Sequence, residues 1–225
     1  MKSLFLLAFL LLSFTYSYAQ NEQAPLQEQE INYKDWTYKS VRDDRDINLR
    51  DFAKNKKLVM VVYFAPWCPN WKHEAPFAEK LYEKYKSNGF DVIGIGEYDT
   101  VAAMKTNLDD KKITFPVVYE SDSKDAQQKT LHYQYRKAAG DTRGWGSPWN
   151  IFIEPAALKK DGDVLMNKAF VVNGELIEAD VEKFVRQKLG LPAEETKMAT
   201  KDKTVEACAP EAKTTTSFKK PEPRK

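Results

Sequence analysis

Seven consecutive apolar residues, Leu58-Val59-Met60-Val61-Val62-Tyr63-Phe64, run almost directly into Trp67-Cys68-Pro69 and a helical stripe. A run with no polar alternation reads as a strand buried on both faces. Residues 69–87 then offer Trp71, Ala75, Ala78, Leu81, Tyr82 and Tyr85 to one broad helical stripe. Asn88-Gly89 ends that helix. Further strands are predicted over 36–41, 91–97, 115–120, 149–153 and 168–172. Helices are predicted over 101–108, 123–139 and 179–189, with Gly190 as the last C-terminal cap. Strand and helix alternate until two strands fall close together before the final helix. The fold class is therefore α/β, a central mixed β-sheet with helices on both faces and an antiparallel pair at its edge.

Composition limits the chemistry. The chain has 225 residues, with 35 Lys+Arg against 33 Asp+Glu, so no net field draws it toward nucleic acid. Two cysteines, Cys68 and Cys208, exclude a disulfide-stapled mini-protein and a zinc ribbon. Two histidines, His73 and His132, speak against a multi-histidine metal centre, so neither metal nor cofactor is expected. His73 reads as a surface residue and His132 as a helix-face residue with no partner.

The two ends differ from the middle. Residues 1–19 have the pattern of a signal peptide: Lys2, an apolar run over 4–12, and small residues Ser17 and Ala19 at the −3 and −1 positions. The alternative is an uncleaved membrane anchor, for which the run is short. The expected location is extracytoplasmic, periplasmic or secreted, where disulfides persist. Residues 20–35, rich in Gln, Glu and Asn, read as a loose leader. Residues 191–225 carry eight Lys/Arg, six Asp/Glu and one aromatic, Phe218. That composition buries too little apolar surface to offset ordering entropy, so it reads as a disordered charged tail. One domain remains, over 36–190.

The segment Phe64-Ala65-Pro66-Trp67-Cys68-Pro69-Asn70-Trp71-Lys72-His73-Glu74-Ala75-Pro76 resembles the thioredoxin-like superfamily, in its TlpA/ResA-type or AhpC/TSA redoxin branch. That branch typically reads W-C-x-x-C-x-x-E-x-P here. Trp67, Cys68, Glu74 and Pro76 fit, and Trp71 replaces the second cysteine. Gly146-Ser147-Pro148-Trp149-Asn150-Ile151-Phe152-Ile153 resembles the loop that carries a cis-proline. Phe115-Pro116-Val117-Val118 and Ile47-Asn48-Leu49-Arg50-Asp51-Phe52 resemble two further segments of these proteins. The resemblance implies a thioredoxin-like three-layer sandwich.

Cys68 is the candidate nucleophile. At the first turn of a helix, unpaired N–H groups and the helix dipole favour its thiolate, and Pro69 suits the first helical position. The sulfur is expected to be partly exposed; the alternative is a small buried hydrophobe. Trp71 cannot resolve a mixed disulfide as a second thiol would. It is either a core residue or an aromatic lid over Cys68. By resemblance, Glu74 lies near the thiol and tunes its acidity; otherwise it is a solvated helix carboxylate. The resemblance also makes Pro148 cis, leaving the Ser147 backbone beside the thiol to meet an extended peptide. Trp67, Trp71, Ser147 and Pro148 are thus the candidate substrate-binding residues, with Trp145 and Trp149 flanking them and Arg143 the nearest basic group. Cys208 is a candidate resolving thiol, or incidental.

Three functions compete. The first is a single-cysteine thiol-disulfide oxidoreductase or redox-homeostasis protein acting through Cys68 on a protein or small-molecule thiol or disulfide. Its peroxidase form is disfavoured, because peroxiredoxins typically carry a threonine where Ala65 stands. The second is an inactive binding module gripping extended peptide near Pro148. The third is a domain tethered by its tail to a surface or partner.

Overall fold

The structure, a computed structural model, describes residues 22–192. The proposed signal segment, and the tail from residue 193 onward with Cys208, lie outside the described residues. The elements in chain order are β1 (Gln23–Ala24), β2 (Gln27–Lys34), β3 (Thr37–Ser40), β4 (Asp46–Asn48), α1 (Leu49–Phe52), β5 (Leu58–Phe64) and α2 (Pro69–Tyr85). Then come β6 (Phe90–Gly96), α3 (Val101–Lys111), β7 (Val117–Tyr119), α4 (Leu131–Ala138), β8 (Trp149–Ile153), β9 (Val164–Val172), β10 (Glu175–Leu176) and α5 (Glu178–Leu189).

The predicted central strand is β5, and all seven of its residues are buried. It pairs parallel with β6 from Leu58↔Phe90 to Phe64↔Gly96, and antiparallel with β8 as far as Tyr63↔Trp149. The eight-stranded sheet has the order β2-β9-β8-β5-β6-β7-β3-β4, and β1 pairs separately with β10. Alternate β5 residues point to opposite faces, as strand geometry requires. Met60, Val62 and Phe64 pack with α2, α3 and α5. Val59, Val61 and Tyr63 pack beneath α1 and α4 with Leu49 and Tyr135. The expected mixed sheet with helices on both faces is the observed architecture.

Three boundaries differ from expectation. The 20–35 segment is not a loose leader: β2 runs antiparallel along β9 from Gln27↔Val171 to Lys34↔Val164. Its Ile31 and Tyr33 are buried, and the Tyr33 hydroxyl meets that of Tyr63 at 2.8 Å. Consequently the β8–β9 pair is antiparallel but β9 is not the edge, since β2 covers it. The helix predicted over 123–139 divides into a 3₁₀ segment, Lys124–Lys129, and α4, because Thr130 adopts extended backbone and caps α4 through its side chain. Residue 191 does not begin a free tail. Gly190 (φ 72°) closes α5, and the Leu191 N–H donates to Arg186 O at 2.9 Å while its side chain packs on the core.

Ile31→Ala therefore removes a buried core side chain rather than one in a leader. It is expected to cost about 2–5 kcal/mol in urea denaturation, against less than about 0.5 kcal/mol for a leader position.

Candidate active site

The end of β5 delivers the chain to a tight turn in which the Cys68 N–H donates to Ala65 O at 3.0 Å. Cys68 itself is the N-cap of α2, with extended backbone, and Pro69 follows at the first helical position. Its carbonyl accepts from Lys72 N at 3.1 Å, the first intrahelical bond. The sulfur thus sits where the unpaired amides of a seventeen-residue helix converge. It is less open than expected: Cys68 is 8% exposed. The Ser147 peptide covers it, and the thiol donates to Ser147 O at 3.1 Å. The Ser147–Pro148 bond is cis, as the resemblance implied. Ser147 Oγ also accepts from Ala65 N at 2.9 Å, tying this loop to the cysteine turn.

Trp71 is a core residue and neither lid nor substrate contact. It is fully buried, stacked on Phe64 at 4.3 Å between ring centroids. Its indole N–H donates to Asn107 Oδ1 at 2.9 Å, and Asn107 Nδ2 donates to Pro66 O at 3.1 Å. Asn107 of α3 therefore fastens the turn that presents Cys68. Nothing in a short polar helix marked it in advance.

Trp67 is the exposed aromatic beside the sulfur, at 36% exposure. It meets Trp145 edge to face at 5.3 Å, and Lys124 Nζ lies 4.8 Å from its ring centre. Its indole N–H donates to Tyr98 O at 3.3 Å. Tyr98 holds a left-handed backbone (φ 62°), unusual for a bulky residue. Trp149, by contrast, is fully buried, with its indole bonded to Asn173 Oδ1 at 2.7 Å, so it lines no groove.

Glu74 is buried at 4% exposure and is not a solvated helix carboxylate. Its Oε2 accepts from Leu176 N at 2.8 Å and from Asn150 Nδ2 at 3.2 Å. Burial pushes its carboxyl up to about 8, against the lowering effect of those two hydrogen bonds. His73, one residue earlier, is exposed, with Nδ1 3.9 Å from Glu175. His132 does have a partner. It is fully buried on the opposite face of the sheet, with Nδ1 2.8 Å from the Tyr98 hydroxyl. Burial and then the Arg136 charge hold it well below the usual histidine range, so its ring is neutral. Arg143 does not point to a substrate. It is committed to Asp141 and to Pro148 O at 2.9 Å. Among the described residues, no group of three or more His, Cys, Asp or Glu side chains is placed to hold a metal. None of their helices is long and apolar enough to cross a membrane.

A helix-capping cysteine beside a cis-proline loop, on a mixed sheet flanked by helices, defines a thioredoxin-like protein. The model of the AhpC/TSA family matches residues 30–146, just over half of the chain, and the chain belongs to that family. The "Thiol-disulfide oxidoreductase ResA" of Oceanobacillus iheyensis is 29% identical over 90 residues, covering 40% of this chain and 44% of that protein. A "Protein disulfide-isomerase" of Drosophila melanogaster is 36% identical over 95 residues, 41% of this chain and 18% of that one. The chain thus matches less than half the length of these curated relatives. The crystal structure of a thiol:disulfide interchange protein of the thioredoxin family from Chlorobium tepidum superposes with a TM-score of 0.52 at 21% identity, over 72% of this chain and 98% of that one. That of a secreted thiol-disulfide isomerase from Corynebacterium glutamicum gives 0.52 at 17%, over 79% and 98%. At those identities the likeness is one of fold.

Glu74 gives the site a pH signature. Its raised carboxyl favours folding below about 4.5, the ordinary value, and that advantage is lost as pH rises toward about 8. Glu74→Gln carries no such charge. Its stability relative to wild type is expected to rise across that window and level off above it, read from urea midpoints at a series of pH values.

Proposed function

We propose that this chain is an exported thiol-disulfide exchange protein working through Cys68 alone. The observation that carries the reading is the placement of its sulfur: at the N-cap of α2, against Ser147 O, and beside exposed Trp67. The Cys68 thiolate attacks one sulfur of a disulfide, forms a mixed disulfide with it, and releases the other as a thiolate that takes up a proton. Trp71 fills the position from which a second thiol would attack, so release requires an external thiol or Cys208. Trp67, Ser147 and Pro148 bound the side from which a substrate approaches, and an extended segment would run along the Ser147–Pro148 backbone. Buried Glu74, on the same helix, takes the role the resemblance implies for it, tuning the acidity of the thiol. Protein or small-molecule thiols and disulfides are the substrate class. The organisation proposed with this reading is a cleaved signal peptide over 1–19 and a charged tail after the domain. The pattern of residues 1–19 supports export, and so does the secreted Corynebacterium glutamicum neighbour.

A second reading keeps the groove without turnover. The 8% exposure of Cys68 favours it. Oxidised glutathione separates the two. In a Cys208→Ser background the folded protein is expected to gain one glutathione by intact mass, hold it, and lose it only when external thiol is added. Cys68→Ser is expected to gain none. A folded protein that stays unmodified, while its urea-unfolded form is modified, would leave only the binding module.

A further inference from the structure

The loop that meets the thiol is built around two buried charges, Arg136 and Asp141, and a third, Arg143, that is partly exposed. Arg136, near the end of α4, has a fully buried side chain whose Nη1 lies 3.3 Å from Asp141 Oδ2. Its guanidinium also donates to Arg143 O at 3.0 Å and to Gly144 O at 3.3 Å. Asp141, with 2% side-chain exposure, turns its other contacts to Arg143. It accepts from Arg143 N at 2.9 Å, from Nε at 3.0 Å and from Nη2 at 2.8 Å. The same Nη2 donates to Pro148 O at 2.9 Å. Gly146 passes so close to Arg136 that a Cβ there would lie 2.0 Å from Nη1, and its φ is +61°. The segment from 141 to 148 is therefore wrapped over one guanidinium and pinned by a second. It includes Ser147, whose carbonyl accepts the Cys68 thiol. Residue 22 adds a further tie, with Glu22 Oε2 3.4 Å from Arg143 Nη1.

We propose that Arg143 is a positioning residue for Cys68: locked by Asp141, it holds the Pro148 carbonyl and so fixes the adjoining Ser147 carbonyl against the thiol. The proposal rests on the reading of Cys68 as the working thiol, and it adds the device that sets the hydrogen bond that thiol must break. Asp141 is fit for the task. Burial raises its carboxyl, but the hydrogen bonds and charge of Arg143 outweigh that and hold it below the usual carboxylate range. The clamp thus stays ionised in mildly acidic solution. A lysine in place of Arg143 would keep the charge and lose the fork that reaches Asp141 and Pro148 together.

The S–H stretch of Cys68, read by infrared absorption in a Cys208→Ser background at mildly acidic pH, reports the bond to Ser147 O directly. With Arg143→Ala the band is expected to shift toward the frequency of the same protein unfolded in urea. Millimolar guanidinium ion is expected to restore it by refilling the vacated position. Dithiodipyridine, which forms a mixed disulfide and releases thiopyridone, measures the thiol's reactivity. Its rate with the variant is expected to rise by about two- to tenfold, the equivalent of one lost hydrogen bond. Arg143→Lys serves as the second variant, and is expected to shift the band in the same direction while thermal unfolding shows an intact fold. An unmoved S–H band in either folded variant overturns the clamp, whatever the reactivity. A wild type inert to dithiodipyridine beside a reactive variant removes the proposed function and keeps the clamp.

Discussion

One short contact, Cys68 Sγ to Ser147 O at 3.1 Å, joins the two halves of the site. Each half arrives there by strand geometry. β5 is buried on both faces, so its end, and the turn that places Cys68 at a helix start, are fixed by the packing of seven side chains. β8 runs antiparallel to β5, and the pairing Tyr63↔Trp149 sets Ser147 and Pro148 beside that turn. A slip of one residue in this register would exchange every inward and outward side chain of β8. The contact is thus held by the core as a whole. The sulfur caps the start of α2 and donates its proton to the Ser147 carbonyl.

A buried polar network just beyond the ends of β6 and β7 supports the exposed part of the site. Tyr98 bonds through its carbonyl to Trp67, through its N–H to Ser121 Oγ at 3.0 Å, and through its hydroxyl to His132. Ser121 Oγ in turn donates to buried Glu97 at 2.5 Å. Burial, and then the facing Glu120, push the Glu97 carboxyl well above the usual carboxylate range, so it is a neutral acid there. Glu120 accepts from the first amides of α4, Leu131 N and His132 N. A buried polar network of this kind holds its members in fixed geometry when its partners are present. Trp67, the one large exposed aromatic next to the sulfur, is tied to this network through the Tyr98 carbonyl.

Much of this could be read from residues alone. The β5 run gave its strand to the residue, and Cys68-Pro69 marked the helix start because a proline belongs just inside one. Helical spacing placed Trp71 in the core as one of two options. The cis bond at Pro148 came from resemblance, since about 5–6% of X–Pro bonds are cis and spacing cannot select one. What stayed hidden depends on long-range burial. Glu74 sits between His73 and Ala75 in a polar-looking stretch, and only Asn150 and Leu176, far along the chain, enclose it. Arg143 reads only as the nearest basic group to the Ser147–Pro148 loop, and Asp141 shows itself as its partner only once that loop folds back over Arg136. Gln27 to Lys34 reads as leader because just two of its side chains, Ile31 and Tyr33, are fully drawn into the core.

The central claim is that folding activates Cys68 rather than merely covering it. The direct measurement is its alkylation rate by iodoacetamide in the native Cys208→Ser protein, compared with the same protein unfolded in urea at the same neutral pH. Activation at the helix start predicts a native rate equal to or above the unfolded rate despite 8% exposure. A native rate slower by about a hundredfold or more, the mark of a thiol reached only through unfolding, would contradict the account.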